Sequence, residues 1–417
     1  MKILILNYSD LLGGASIAAN RLFTALKQFG IEITFAVIDK NSNNKSIIKL
    51  HNKNKINLFN KICKKILKHF NKFSTGNPIL HSVNNKTNID INYINNSSFD
   101  LIHLHWVNNN MISIKDISKI KKPIVWTMHD PWVYCGAEHY PNILENDKRY
   151  IDGYTRKNKP KTTRGVDICR KTWNKKKVLW KNKSFHFISP SNYLMESFYK
   201  SSLFSNSKCD CKVIPNIVPQ NIFKPASKNK LRECFQIPLN KKVIGFGAAY
   251  DVNNKKSIKG GYLLIDALKK IKEKSDYYLI LFGNTNDSFL NDIDIDSFSS
   301  GVISNPNILS CIYNTLDVFV CPSLLENLPN VCLESLFCGI PVAAFNTGGI
   351  PDIVEHKKTG YLAECFNSDD LLNGVNFCID NNAFLSENSL KKAQTDFNND
   401  KIIKQHVELY ESVLNAS

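Results

Sequence analysis

The chain has 417 residues, enough for two domains and a well-buried core, and its 43% apolar and 22% charged residues are ordinary for a globular protein. Its formal charge of +17 is not ordinary, and it implies an anionic partner: nucleic acid, an acidic membrane or a phosphorylated small molecule. No uninterrupted apolar run reaches membrane-spanning length, so the expectation is a cytoplasmic enzyme, either free or peripheral on the membrane.

In chain order, KILILNY reads as a first strand rather than a signal peptide, because a Gly13-Gly14 turn and a helix follow where a cleavage site would stand. That helix, ASIAANRLFTALKQFG, closes at Gly30, and ITFAVID is the next strand. An Asn- and Lys-rich region runs from about Asn41 to Ser98. FDLIHLHW and PIVWTMHD then read as strands, with MISIKDISKI as the helix between them. SFHFISPS is a further strand and NYLMESFYK the helix after it.

Prolines and polar residues around KVIPNIVPQNIFKP interrupt the periodicity, as a linker would. A second strand–helix series follows, with strands at KKVIGFGAA, YYLILFG, GVIS, LDVFVCPS and IPVAAF. Continuous apolar strands separated by helices imply parallel sheets covered on both faces. The expected fold is therefore α/β, with two Rossmann-like domains facing one another and ligands at the carboxyl ends of the strands. The boundaries read as 1–212 plus 399–417 for the first domain and 213–398 for the second. In the last segment, Ile403, Val407, Tyr410 and Leu414 recur at helical spacing and should pack one face against a domain.

The segment from Pro322 to Leu362 carries the clearest chemistry. Glu326 follows a strand, where the site should open, and Glu334 sits on an otherwise apolar helix, where a carboxylate needs a donor partner. Ribose or sugar hydroxyls would serve; a lysine partner or solvent is the competing reading. Pro329 favours a helix start whose amides can meet an anion. Lys259, before Gly260-Gly261, can compensate diphosphate charge, whereas Lys255 and Lys256 also read as surface residues. Gly13 and Gly14 let backbone approach phosphate closely, although no G-x-G-x-x-G fingerprint follows either first strand. His103, His105, His129 and His139 cluster behind strand ends, and His129-Asp130 is divided evenly between a functional and a structural reading.

The 12 cysteines lack paired C-x-x-C units, so neither a metal nor a structural disulfide is expected. Two basic segments are candidates for an anionic membrane surface. INLFNKICKKILKHFNKF places Phe59, Ile62, Ile66 and Phe70 on one helical face, and RKTWNKKKVLWKNK carries Trp173 and Trp180 among lysines. A core-packed helix with a solvated basic face is the competing reading of both. No nucleic-acid module is present, so nucleic acid is not an expected partner.

Taken together, GGASIAANRL, DLIHLHW, VWTMHD, the Lys259-Gly260 turn and the Glu326/Glu334 segment with its GIPV and Gly-Gly turns resemble a family 4 retaining glycosyltransferase. HDPWVYCGAEHY resembles the subgroup that builds bacterial exopolysaccharides, colanic-acid-type enzymes among them. The resemblance implies a GT-B fold, in which a C-terminal helix crosses back to the first domain. It further implies retaining transfer of a hexosyl group from a nucleotide diphosphate sugar, with no bound metal or other cofactor. The acceptor would be lipid-linked or an oligosaccharide, in surface polysaccharide biosynthesis.

Carried over residue by residue, Glu326 lies beside the donor sugar, His129 contacts it, and Lys259 neutralises the diphosphate. The amides of Asn327 and Leu328 add to that neutralisation, Glu334 holds the ribose, and Asn330 is a further donor-binding candidate. Gly13, Gly14, Gly247 and Lys256 line the phosphates and Val302 the base. His105, Asp130 and His139 are the acceptor-side candidates. Two departures stand out. Relatives often carry an Arg after the glycine ending the first strand of the second domain, where this chain reads GFGAA. The subgroup's cysteine-rich segment beginning G-G-C-H-Y reads Gly136-Ala-Glu-His-Tyr140 here, with only Cys135 and Cys169 nearby. Sugar-nucleotide epimerisation on the same fold, or carbohydrate or lipid binding without catalysis, are the alternatives.

Overall fold

The structure is a computed structural model that describes residues 1–50, 75–77, 79–248, 257–284 and 293–416. It divides into two compact units, Met1–Pro215 with Ile403–Ser417 and Asn216–Ile402.

The first unit is built on a seven-stranded sheet in the order β3-β2-β1-β4-β5-β6-β7. Its strands are β1 (Lys2–Ser9), β2 (Glu32–Asp39), β3 (Ile47–Lys49), β4 (Leu101–Leu104), β5 (Ile124–Thr127), β6 (His186–Ser189) and β7 (Asp210–Val213). All are parallel. Strands β4 and β5 are buried along their whole length, which explains their lack of polar alternation. The core gathers Trp126, Trp132, Trp180, Phe185, Phe187 and Phe198 around the far strands.

The second unit holds a six-stranded parallel sheet in the order β10-β9-β8-β11-β12-β13. Its strands are β8 (Lys242–Ala248), β9 (Tyr277–Gly283), β10 (Ser297–Ser299), β11 (Val318–Cys321), β12 (Val342–Phe345) and β13 (Gly360–Ala363). In each unit the strand order reverses once, between β1 and β4 in the first and between β8 and β11 in the second. In open parallel sheets such a reversal is where loops part and ligands bind.

Three elements differ from the sequence reading. The strand expected at GVIS instead occupies Ser297–Ser299, because Gly301 adopts φ +64 and ends the extended run. The helix expected over MISIKDISKI shortens to Ile114–Ile117, capped by Ser113, whose side chain accepts from the Asp116 amide. The terminal helix, Asn399–Asn415, buries Ile402, Ile403, His406, Leu409, Tyr410 and Val413. Its inner stripe is thus turned from the expected one, with Val407 and Leu414 at its margins. Of the basic segments, residues 56–73 lie outside the described residues. In the other, Trp173 and Trp180 are buried, which is the core-packed reading and removes both from any membrane face. No helix among the described residues is long and apolar enough to cross a membrane.

Candidate functional site

In the second unit, chain leaving β11 forms the loop that carries Glu326, and neighbouring turns hold it from two sides. The Leu324 amide donates to the Ile258 carbonyl at 2.7 Å, the Thr347 hydroxyl to the Leu324 carbonyl at 2.9 Å, and the Gly349 amide to the Glu326 carbonyl at 3.0 Å. The glycines of these turns are a steric requirement. A Cβ on Gly260, at φ +63, would stand 1.9 Å from the Pro322 carbonyl oxygen, and one on Gly348, at φ +56, would stand 2.1 Å from that of Glu326. The two Gly-Gly turns therefore serve the loop's backbone.

The same clamp brings Lys259 to Glu326. Its ammonium pairs with Oε1, which also accepts from the Ser323 hydroxyl at 3.0 Å. Both side chains keep some solvent exposure, 29% for Lys259 and 13% for Glu326, so the pair is reachable by a ligand. The helix Asn330–Phe337 follows, with no side-chain cap and no acidic residue in its first turn, so nothing within the helix itself offsets its positive end. Asn216 donates to the Asn330 side-chain oxygen at 3.1 Å, and Asn327 and Leu328 are buried beside it. Glu334, also buried, accepts from the Tyr313 hydroxyl at 3.0 Å. Burial and then the Glu334 carboxylate push that hydroxyl well above the usual tyrosine range, so Tyr313 stays a donor.

The remaining expected donor contacts divide. Gly247 pairs in register with Phe282, and a Cβ there would stand 2.1 Å from the phenyl ring, so packing alone requires this glycine. Val302 is exposed in the loop after β10. Lys256, with Lys255, lies outside the described residues.

In the first unit, Asn7 ties the glycine turn to the sheet. Its side-chain oxygen accepts from the Trp106 amide at 2.8 Å, and its amide group donates to the Ser16 hydroxyl at 3.0 Å. Gly13 begins the helix Gly14–Gln28 at φ +85, with nothing within 4 Å of a Cβ there; only the backbone angle favours glycine.

Histidines line the ends of β4 and β5. His103 bonds the hydroxyls of Tyr410 and Thr127, both at 2.8 Å, and His105 Nδ1 meets His129 Nε2 at 2.9 Å. Burial holds His129 down to about 4, with Asp130 opposing, and holds His103 and His105 well below the usual range. The cluster is therefore neutral at neutral pH, with His129, the half-buried member, at its edge.

Asp130 accepts from the Trp132 amide at 2.9 Å and the Trp106 indole at 3.1 Å, and pairs with His139 Nδ1 at 2.7 Å. His139 Nε2 meets the Ser82 hydroxyl at 2.9 Å. Burial would raise the Asp130 carboxyl, but His139 and these donors hold it below the ordinary carboxylate range. His105 and His139 are buried, with 3% exposure each, and are turned to His129 and Asp130 respectively. In this structure each therefore supports a neighbouring candidate, His105 through His129 and His139 through Asp130.

Residues that the sequence reading passed over complete the site. Ser323 and Tyr313 supply hydrogen bonds to the two glutamates, and Trp106 and Ser82 close the Asp130 network. Lys176, fully buried, donates to the carbonyls of Trp132, Cys135 (3.0 Å) and Gly136 (2.8 Å), with its ammonium 3.7 Å from the centre of the Trp132 ring. Burial pushes Lys176 down to about 7, while Cys135, Glu138 and Asp130 draw it up. Its only signal in the sequence is position: it lies on the inward stripe between Trp173 and Trp180.

Residues 228–396, within the second unit, match the family model described as glycosyl transferases group 1. An uncharacterized glycosyltransferase of Haemophilus influenzae is 26% identical over 249 residues, 56% of this chain and 69% of that protein. The N-acetyl-alpha-D-glucosaminyl L-malate synthase of Bacillus anthracis is 21% identical over 213 residues, 49% of this chain and 54% of that protein. The chain thus spans about half the length of the second relative. Among solved structures, Anabaena Alr3699/HepE in complex with UDP-glucose superposes with a TM-score of 0.65 at 18% identity, covering 99% of this chain and 100% of that one. This likeness shows the fold: two Rossmann-like domains of the GT-B class.

Proposed function

We propose that this protein, whose second unit carries a group 1 glycosyltransferase domain, moves a sugar from a nucleotide diphosphate sugar to a hydroxyl acceptor with retention of configuration. The observation that carries the reading is the Lys259–Glu326 pair at the strand-order reversal of the second sheet, beside the uncapped helix at Asn330 and the buried carboxylate of Glu334.

Each part has a role in such chemistry. Lys259 turns from the carboxylate to the diphosphate and offsets the charge that grows on it as the sugar departs. The helix end and the amides of Asn327 and Leu328 add to that stabilisation. Glu334, oriented by Tyr313, accepts from ribose hydroxyls, and Glu326 orients the donor sugar. The departing phosphate oxygen assists removal of the acceptor proton, so no protein nucleophile is required. His129, neutral at the end of β5, serves as a hydrogen-bond partner of the transferred sugar. A lipid-linked or oligosaccharide acceptor of surface polysaccharide synthesis, met at the cytoplasmic membrane face, fits the basic character of the chain.

The test is a panel of nucleotide sugars screened by thermal shift, since a bound donor raises stability by mass action. The stabilising donor is then incubated with candidate acceptors and the product's anomeric configuration read by NMR. An inverted product would refute retention. Nucleotide release that is independent of acceptor would point to hydrolysis or another reaction of the donor.

A further inference from the structure

The first unit brings together three side chains that the proposed transfer does not use. His81 pairs with Glu138 in an isolated antiparallel bridge, and Cys169 opens the helix Ile168–Leu179 beside them. One ligand atom from each of the three lies within 4.8 Å of the others. Glu138 and Cys169 are buried and His81 is partly so.

Hydrogen bonding prepares His81 and Glu138 on one side, and the Cys169 sulfur faces Glu138 and the Ala137 backbone. His81 Nδ1 meets the Ile79 carbonyl at 2.7 Å, so it carries the proton, and Nε2 is the bare nitrogen. That Nε2 is buried with no hydrogen-bond partner among the described residues. Glu138 Oε1 accepts from the Tyr154 hydroxyl and lies 3.9 Å from the Arg149 guanidinium, whereas Oε2 is buried and likewise without a hydrogen-bond partner. Against these two buried acceptors stands the Cys169 thiol, a weak donor that interacts with Glu138, so an electropositive ion would satisfy the group better. Gly136 makes room for the arrangement, since a Cβ there would stand 2.5 Å from the Cys169 carbonyl and 2.7 Å from Glu138 Oε2.

We infer that His81 Nε2, Glu138 Oε2 and Cys169 Sγ form a zinc-binding site. An imidazole nitrogen, a carboxylate oxygen and a thiolate sulfur are the three donor types zinc accepts, with water able to complete a tetrahedron. Ligands of a tetrahedral zinc stand about 3.3–3.8 Å apart, so side-chain movements of about 1 Å close the set. The carboxylate and thiolate together neutralise the dication. Binding displaces one proton, from the Cys169 thiol to solvent. The Arg149 charge, which also acts on His81 and Glu138, is offset by Asp147 at 2.8 Å and Asp167 at 3.5 Å.

The consequence is structural. Such an ion joins the segment at residue 81, the loop after the His129-Asp130 strand end and the helix at residue 168. His139, next to Glu138, is thereby fixed against Asp130. The sequence expectation of no metal rested on cysteine spacing and on the family resemblance. Cysteine spacing could not register a site in which only one ligand is a cysteine and another lies more than fifty residues upstream of it.

The test uses the full-length protein expressed in zinc-supplemented medium and freed of any histidine tag, with zinc per chain measured by elemental analysis before and after chelation and reloading. About one zinc per chain is expected, falling to background in both His81→Ala and Cys169→Ser. In the cobalt-loaded wild type, a thiolate-to-cobalt charge-transfer band is expected that Cys169→Ser lacks. Should the variants fold poorly, the wild type still decides. Failure of stripped protein to take up stoichiometric zinc in competition with a chromogenic chelator overturns the proposal, as does a cobalt complex without the thiolate band.

Discussion

The two strand-order reversals of this molecule are built in opposite ways. At the second, between β8 and β11, one short loop carries the chemistry, and its charged pair remains reachable from solvent. At the first, between β1 and β4, residues from distant parts of the chain meet in a buried network: Asn7, Trp106, Asp130, His139 and Ser82. The first arrangement holds geometry, and the second presents charge. A substitution in the β8/β11 loop should therefore change activity more than stability, and one in the buried network of Asn7, Trp106, His139 and Ser82 the reverse.

The largest effect expected is at Lys259. Lys259→Ala should lower kcat by about 10²–10³ while leaving the melting temperature nearly unchanged, because an accessible charge that acts mainly on the transition state is lost. Equal loss of melting temperature and rate would erase the distinction between the two regions. Next is Gly348→Ala. A Cβ set against the Glu326 carbonyl at positive φ costs about 2–3 kcal/mol of strain, or moves the loop. Thermal unfolding with donor titration reads both; unchanged donor affinity and stability would show that the turn does not hold Glu326.

The histidine cluster predicts a pH dependence of stability. The unfolded chain binds a proton on His129 near 6.5 and the folded chain only near 4, so stability falls as pH drops through that window and levels off below it. His129 alone contributes on the order of 2 kcal/mol after allowance for its partial exposure. His103 and His105 act in the same direction. Chemical denaturation between pH 7 and pH 4 measures the slope, and His129→Gln should flatten it. The smallest expected effect is that of Tyr313→Phe, about 1–2 kcal/mol from leaving one Glu334 oxygen without its donor. It should weaken nucleotide binding more than it slows turnover at saturating donor.

The contrast also explains what could be read before the structure. In Pro322–Leu362 the functional groups and the glycines that position them lie close together in the chain, so a local pattern carries the arrangement. The donor to Glu334, Tyr313, sits in another helix, where it reads as one more aromatic core residue. Nothing local shows that Gly247 makes room for the phenyl ring of Phe282. Lys176 reads as surface charge until the three carbonyls that surround it are known.

By itself the sequence determined the parallel α/β architecture, the two strand–helix series and the loop bearing Glu326, because periodicity and turn residues are properties of neighbouring positions. Only tertiary structure decided which groups are buried and which partners they meet. It turned Trp173 and Trp180 inward, made His105 and His139 supports for their neighbours, and set His81 beside Glu138 and Cys169. Those outcomes depend on desolvation and hydrogen bonding between segments far apart in the chain, which no local pattern encodes.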